Sequence, residues 1–278
     1  MRKYVFLIFC FFFISSNIYS QSKSSKDKQS PNKKLKHNIS ITIKNYKDTA
    51  ILLGYYYGDK QFIKDTAYKQ PGDVFVFKGE DSLEGGIYII ASTDKHMLFE
   101  IIVAEQFFSL ETDTVNYVKN MKVQNSKENK LFFEYLNYID KQYEVLKPLT
   151  EQMKEAQSKN DTAKIRQLKG KRSELDAVVK KYRSKFIEDN KGSLVAKIFK
   201  ASDDIEVPES PILPNGRPDS TFPFRYYKEH YFDNIDFSDD RLLRTPIFHN
   251  KLVYYLDKLT FQSPDSIIVS ADYIVNKA

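Results

Sequence analysis

At Ser126 the spacing of apolar residues changes, and that change limits the chain to an α+β architecture with its strands first. Before it the period is two. Ile39, Ile41 and Ile43 fall on one face of a strand, with Ser40, Thr42 and Lys44 on the other. Ile51–Tyr57, Phe62–Tyr68, Val74–Phe77, Ile87–Ala91, Met97–Val103 and Phe107–Glu111 follow as short β-rich runs. Turn signals such as Pro71-Gly72-Asp73 separate them, and no helical pattern intervenes. The series predicts an antiparallel β-sandwich-like or barrel-like module over residues 37–124. Gly54, Gly85 and Gly86 read as bulges or close backbone approaches, since neither a GxGxxG nor a P-loop pattern accompanies them.

After Ser126 the pattern is helical, and residues 125–278 read as an α-helical domain. Ser126 is the expected N-cap, with Glu128 placed against the helix dipole. Phe132, Leu136, Ile139, Tyr143, Leu146 and Met153 form one apolar stripe. After a break at Asn160-Asp161, Ile165, Leu168, Leu175, Val179, Tyr182 and Phe186 form a second. Two such stripes predict an antiparallel helical hairpin over residues 126–190, with arms reaching roughly 45 Å at about 1.5 Å per residue. Residues 150–173 are mostly charged or amidic, so the tip is expected to be solvated, as a strut or as a docking surface.

A short helix is expected over Ser193–Ala201. Residues 207–223 hold Pro208, Pro211, Pro214, Pro218 and Pro223, which predicts a loop without regular structure. Phe224–Phe232 suits one or two helical turns. In the C-terminal helices, residues 238–278, Ser238 is expected to cap a turn carrying Asp239 and Asp240, locked by pairing of Arg241 and Arg244 with Asp236 or Asp240. Thr245-Pro246 and Ser263-Pro264 are helix-start signals, a capping hydroxyl followed by proline at the first helical position. Leu252, Tyr255, Leu256 and Leu259 should line the inner face of the first of these helices. Ile267, Ile268, Ala271 and Ile274 should line that of the second, which reads as interrupted rather than finished at Ala278.

At the other end, Arg2 and Lys3 precede the apolar run Tyr4–Ile14, and Ser20 offers a small residue before Gln21. This reads as a secretory signal peptide over residues 1–20, followed by a disordered Lys- and Ser-rich linker over 21–36. The expected location is the periplasm or cell envelope, with the membrane met only through the signal peptide during export. Cys10, the only cysteine, lies in the apolar run, so the exported chain would hold no thiolate nucleophile, disulfide or CxxC pair. The formal charge of +6 is similarly local. The first 36 residues carry more than all of it, leaving 37–278 at −1, so a nucleic-acid partner is not expected.

No chemical constellation emerges. His37, His96, His230 and His249 show no metal-ligand spacing. Asp233, Asp236, Asp239 and Asp240 lack the glycine and terminal glutamate of a calcium loop. Ser-His-Asp triads find no Gly-x-Ser-x-Gly elbow. Catalytic, cofactor-binding and metal-binding residues are therefore all expected to be none.

The strand series with Lys64–Ala67 (KDTA), Gly85–Ile90 (GGIYII) and Gln106–Asp113 (QFFSLETD), followed by Asn125–Leu136, resembles an uncharacterised β module. That module stands ahead of secreted thiol–disulfide oxidoreductases of the TlpA/ResA type in Gram-negative bacteria. Tyr226–Leu252 (YYKEHYFDNIDFSDDRLLRTPIFHNKL) is similar to a helical domain of unknown function that follows it. The resemblance implies a thioredoxin-like domain with a CxxC pair as the family's catalyst, and this sequence has no such pair. The chain is thus expected to be a non-catalytic accessory or docking region, not itself an enzyme, with a protein partner or self-association. The alternative is a free-standing envelope module binding a protein, peptide or glycan.

Overall fold

In the computed structural model the described residues are 34–278; the expected signal peptide, with Cys10, and residues 21–33 of the linker lie outside them. Eight strands come first: β1 (His37–Lys44), β2 (Ala50–Tyr57), β3 (Lys60–Tyr68), β4 (Val74–Gly79), β5 (Gly86–Ala91), β6 (Met97–Val103), β7 (Phe107–Asp113) and β8 (Lys122–Gln124). They form two four-stranded sheets, ordered β4-β1-β7-β8 and β3-β2-β5-β6. Every pair is antiparallel except β1–β7, in which Ile39 lies beside Phe108 and Ile41 beside Leu110 in the same direction. The expectation of a wholly antiparallel module is corrected there. Strands joined by short turns must reverse, whereas β1 and β7 are separated by the whole second sheet, a connection long enough for parallel alignment.

Alternation then decides what is covered. Ile39, Ile41 and Ile43 of β1, Phe75 and Phe77 of β4, and Leu110 of β7 are fully or almost fully buried. They belong to one cluster with Ile51, Leu53, Phe99, Ile101 and Val103 of the second sheet. The same cluster continues through Phe133, Leu194, Ile198, Phe199, Phe232 and Tyr255 in the helices. The strands and the helices therefore share a single core, each large buried side chain contributing about 1.5–3 kcal/mol.

Six helices follow among the described residues: α1 (Lys127–Ser158), α2 (Thr162–Asp189), α3 (Leu194–Ser202), α4 (Phe222–His230), α5 (Pro246–Lys258) and α6 (Pro264–Val275), with a 3-10 turn over Asp240–Arg244. Ser126 caps α1 by accepting from Asn129 N, and Asp161, Thr245 and Ser263 cap α2, α5 and α6 in the same way. The hairpin closes along a narrow seam in which Leu146, Ala156 and Leu168 are buried and the Tyr138 and Tyr182 rings stack at 3.5 Å. Pro148 lies inside α1, which nevertheless runs on to Ser158.

Two side chains fix the root of the hairpin. Asn129 is fully buried, and its amide both accepts from Ile102 N at 2.9 Å and donates to Ile102 O at 2.7 Å. It treats the outer edge of β6 as a neighbouring strand would. Glu128 stands in the first turn of α1, as expected, and also reaches a second helix. Its carboxylate accepts from Leu194 N at 2.9 Å and Val195 N at 3.0 Å, at the start of α3. The acid that bonds the first N–H groups of α1 is Glu105, which accepts from Lys127 N, Glu128 N and Ser126 Oγ.

Pro223 also departs from expectation. It belongs not to the irregular loop but to the first turn of α4, where a missing N–H costs nothing. Residues 203–220 contain no helix or named strand, only an isolated bridge between Ile212 and Pro218.

Candidate docking site

The stretch Asp233–Leu259 is where helices meet strands. It follows α4 and the buried Phe232, drops Ile235 into the core, and turns at Asp236. Ser238 Oγ and N both donate to Asp236 Oδ1, so Ser238 closes that bend and Asp239 caps the 3-10 turn, contrary to the sequence expectation. Lys197 reaches across from α3 and donates to Asp236 at 2.8 Å and Asp239 at 2.7 Å. Arg241 binds the same Asp239 through Nε at 2.7 Å and Nη2 at 2.6 Å. The Arg241 guanidinium, followed by the Lys197 ammonium, holds the Asp239 carboxyl well below the usual carboxylate range.

The expected pairing of Arg241 and Arg244 with Asp236 or Asp240 is thus corrected. Arg241 takes Asp239, and Arg244 leaves its own segment to pair with Glu84, just ahead of β5. Glycine makes this possible. A Cβ on Gly85 would lie 2.5 Å from the Arg241 stem, and one on Gly86 would lie 2.5 Å from Arg244 Cβ and 3.0 Å from its carbonyl oxygen. Gly86 also has φ +152°. The close backbone approach read from these glycines is the docking of the 3-10 turn onto β5.

Beside this network lies an open depression of about 310 Å³ lined by Ile187, Lys191, Lys197, Lys200, Asp233 and Asp236. Most of its ionic groups already have partners: Lys197 has Asp236 and Asp239, Asp233 lies 2.7 Å from His230, and Lys191 lies 3.4 Å from Glu188. A nucleophile with an adjacent base is not among these lining residues.

The other histidines are dispersed. His37 Nδ1 lies 2.6 Å from Asp81 O, and His96 sits beside Asp94. His249 is carried by α5. Among the described residues no group of three or more His, Cys, Asp or Glu is arranged to hold a metal ion. Elsewhere stand the buried Glu100 and the half-buried Lys251. Glu100 on β6 accepts from Tyr56 Oη at 2.5 Å, and burial raises its carboxyl. Lys251 on α5 lies 4.9 Å from the centre of the Tyr231 ring and donates to Asp203 O at 3.2 Å, and burial lowers its ammonium.

The exposed feature of this region is an apolar face on α6 and the turn before it. Phe261 is 77% exposed, Ile268 57% and Val269 68%. Ile267 and Ile268, expected to face inward, do not. α6 is rotated so that Ser270 is buried instead, its hydroxyl accepting from Thr260 Oγ at 2.9 Å, with Tyr273 and Ile274 packed on the core. A serine amid Ile267, Ile268 and Val269 was the available signal: a small hydroxyl with a buried partner lets the helix approach closely, and the branched residues turn outward.

No helix among the described residues is long and apolar enough to cross a membrane. No curated protein and no solved structure matches the chain. Residues 150–278, from the second half of α1 through α6, match the model of a family described as a domain of unknown function, DUF5106.

Proposed function

We propose that this chain is a non-catalytic docking region that works beside a thioredoxin-like thiol–disulfide oxidoreductase of the cell envelope, and that α6 carries the contact. The observation behind this reading is the exposed apolar face of Phe261, Ile268 and Val269, set on a helix whose other side is anchored in the shared core. Contiguous exposed apolar side chains rimmed by polar ones mark interaction surfaces in folded proteins. The engagement of the ionic groups around the α3 depression favours a binding role over a catalytic one.

The test pairs the purified chain with a thioredoxin-like oxidoreductase from the envelope of the same source cells, with affinity followed by calorimetry. Ile268→Asp places a charge on the face without touching the core and should weaken binding by at least about tenfold, the size of effect a buried contact residue gives. Absence of binding by the native chain, or equal binding by Ile268→Asp, would refute the reading.

A further inference from the structure

The far end of the hairpin is built differently from the rest of the molecule. Over residues 147–173 eight Lys and Arg stand against three acids, a net charge of +5. Lys147, Lys154, Lys164, Arg166, Lys169 and Lys171 have no carboxylate within ion-pair distance among the described residues. The acid-rich segment 203–240 is the reverse case. There Asp203 is held by Arg183, Asp219 by Arg225, and Asp236 and Asp239 by Lys197. The body thus neutralises much of its charge internally, while the hairpin end, apart from Lys159 on Glu155, leaves most of its cations open.

This placement does not serve the hairpin's own stability. The first turn of α2 itself holds no acidic residue, and Lys164 stands there at the positive end of the helix dipole, where the Asp161 cap supplies a single carboxylate. Like charges on two adjacent arms also repel each other. A solvated surface face would ordinarily intersperse both signs, as Lys185–Asp189 and Lys191–Glu188 do near the hairpin root.

The end is also free to reach a partner. Among the described residues no hydrogen bond, ion pair or ring contact joins 147–173 to anything outside the hairpin. Residues 147–158 alone extend about 18 Å along α1. The partner's chemistry follows from what accompanies the cations. No aromatic residue occurs between Tyr143 and Tyr182. The exposed large apolar residues of the arms, Tyr143, Val145 and Val178, lie outside 147–173. A protein interface draws its energy from aromatic or aliphatic anchors at its centre, and single-stranded nucleic acid is held by stacking; neither device is present. Diffuse positive charge without an anchor suits a partner whose negative charge is itself diffuse, as on an anionic bilayer.

We infer that the hairpin end, residues 147–173, rests on an anionic phospholipid surface through Lys and Arg, as a peripheral and purely electrostatic contact. The full chain should co-sediment with phosphatidylglycerol-containing phosphatidylcholine vesicles and not with phosphatidylcholine alone. Raising ionic strength from about 0.05 to about 0.5 M should abolish the binding, because exposed charges are screened over that range.

The combined variant Lys164→Gln, Arg166→Gln, Lys169→Gln and Lys171→Gln should bind at least about tenfold more weakly. Circular dichroism should show its helix content unchanged. A control removes equal charge from the body, through Lys47→Gln, Lys78→Gln, Lys119→Gln and Lys258→Gln, and should keep most of the affinity. Native chain that ignores the anionic vesicles, a hairpin variant that binds like the native chain, or a body variant that loses as much would each overturn the inference. Equally tight binding to duplex DNA of matched charge would overturn the lipid assignment.

Discussion

Glu128 and Leu194 meet across 66 residues of sequence, the carboxylate of the first accepting the N–H of the second at 2.9 Å. Glu128 sits in the first turn of α1, beside the Asn129 clasp on β6, and Leu194 opens α3, the helix whose Lys197 ties down Asp236 and Asp239. One carboxylate therefore joins the hairpin root to α3, with Asn129 holding the strand edge on one side and Lys197 the ion-paired turn on the other. It also satisfies two N–H groups that a helix start otherwise leaves unpaired.

Replacing Glu128 by Gln keeps the shape, leaves one acceptor oxygen in place of two and removes the charge facing the α3 dipole. Hydrogen bonds to a charged group contribute about 1.5–3 kcal/mol each. Glu128→Gln should lower the unfolding free energy by about 2–3 kcal/mol, read as a lower urea midpoint with an unchanged slope.

Glu100 should show the opposite sign. Burial raises its carboxyl above the ordinary 4.5, so the folded state holds its proton more tightly than the unfolded chain does. Its contribution to stability is neutral below pH 4.5 and becomes a penalty as pH rises through the folded value. Glu100→Gln should therefore melt higher than the native protein at pH 7, and the two should converge below pH 4.5. A melting difference independent of pH would show that the carboxyl is not the cause.

For Asp239 the carboxyl is depressed below 3.8 by Arg241 and Lys197. The stability it supplies is complete above pH 3.8 and is lost as pH falls toward the folded value. Its side chain is only 5% exposed, so Asp239→Asn should leave two cations facing each other without their acceptor. The expected cost near neutral pH is about 3 kcal/mol, narrowing in acid, measured by calorimetric melting across pH.

Gly85 and Gly86 should differ although they are neighbours. At Gly85 an added methyl meets the flexible stem of Arg241, which can swing aside. At Gly86 it meets Arg244 Cβ and backbone oxygen, at a positive φ. Gly86→Ala should destabilise by more than about 2 kcal/mol, and Gly85→Ala by clearly less, in paired thermal melts.

Local chemistry was legible in the sequence and distant pairing was not. Ser126, Thr245 and Ser263 announce their helices because capping uses residues three apart. The glycine pair announced a close approach without saying whose backbone or side chain arrives. Arg244 was assigned to nearby aspartates, but its partner Glu84 comes from the strand region. The parallel β1–β7 pair was hidden because neither strand's alternation encodes direction. The α6 face was misjudged because periodicity placed the bulkiest residues inward, while Thr260 selected Ser270.

The central place of β1 in its sheet has a consequence for biosynthesis. Its two neighbours are β4 and β7, so Ile39, Ile41 and Ile43 are made first and covered last. At about 5–20 residues per second, the sixty or so residues between Lys44 and Phe107 take on the order of 3–12 s to synthesise. Throughout that interval a strand of high β propensity is without β7, one of its two final neighbours, a window in which a chaperone would act.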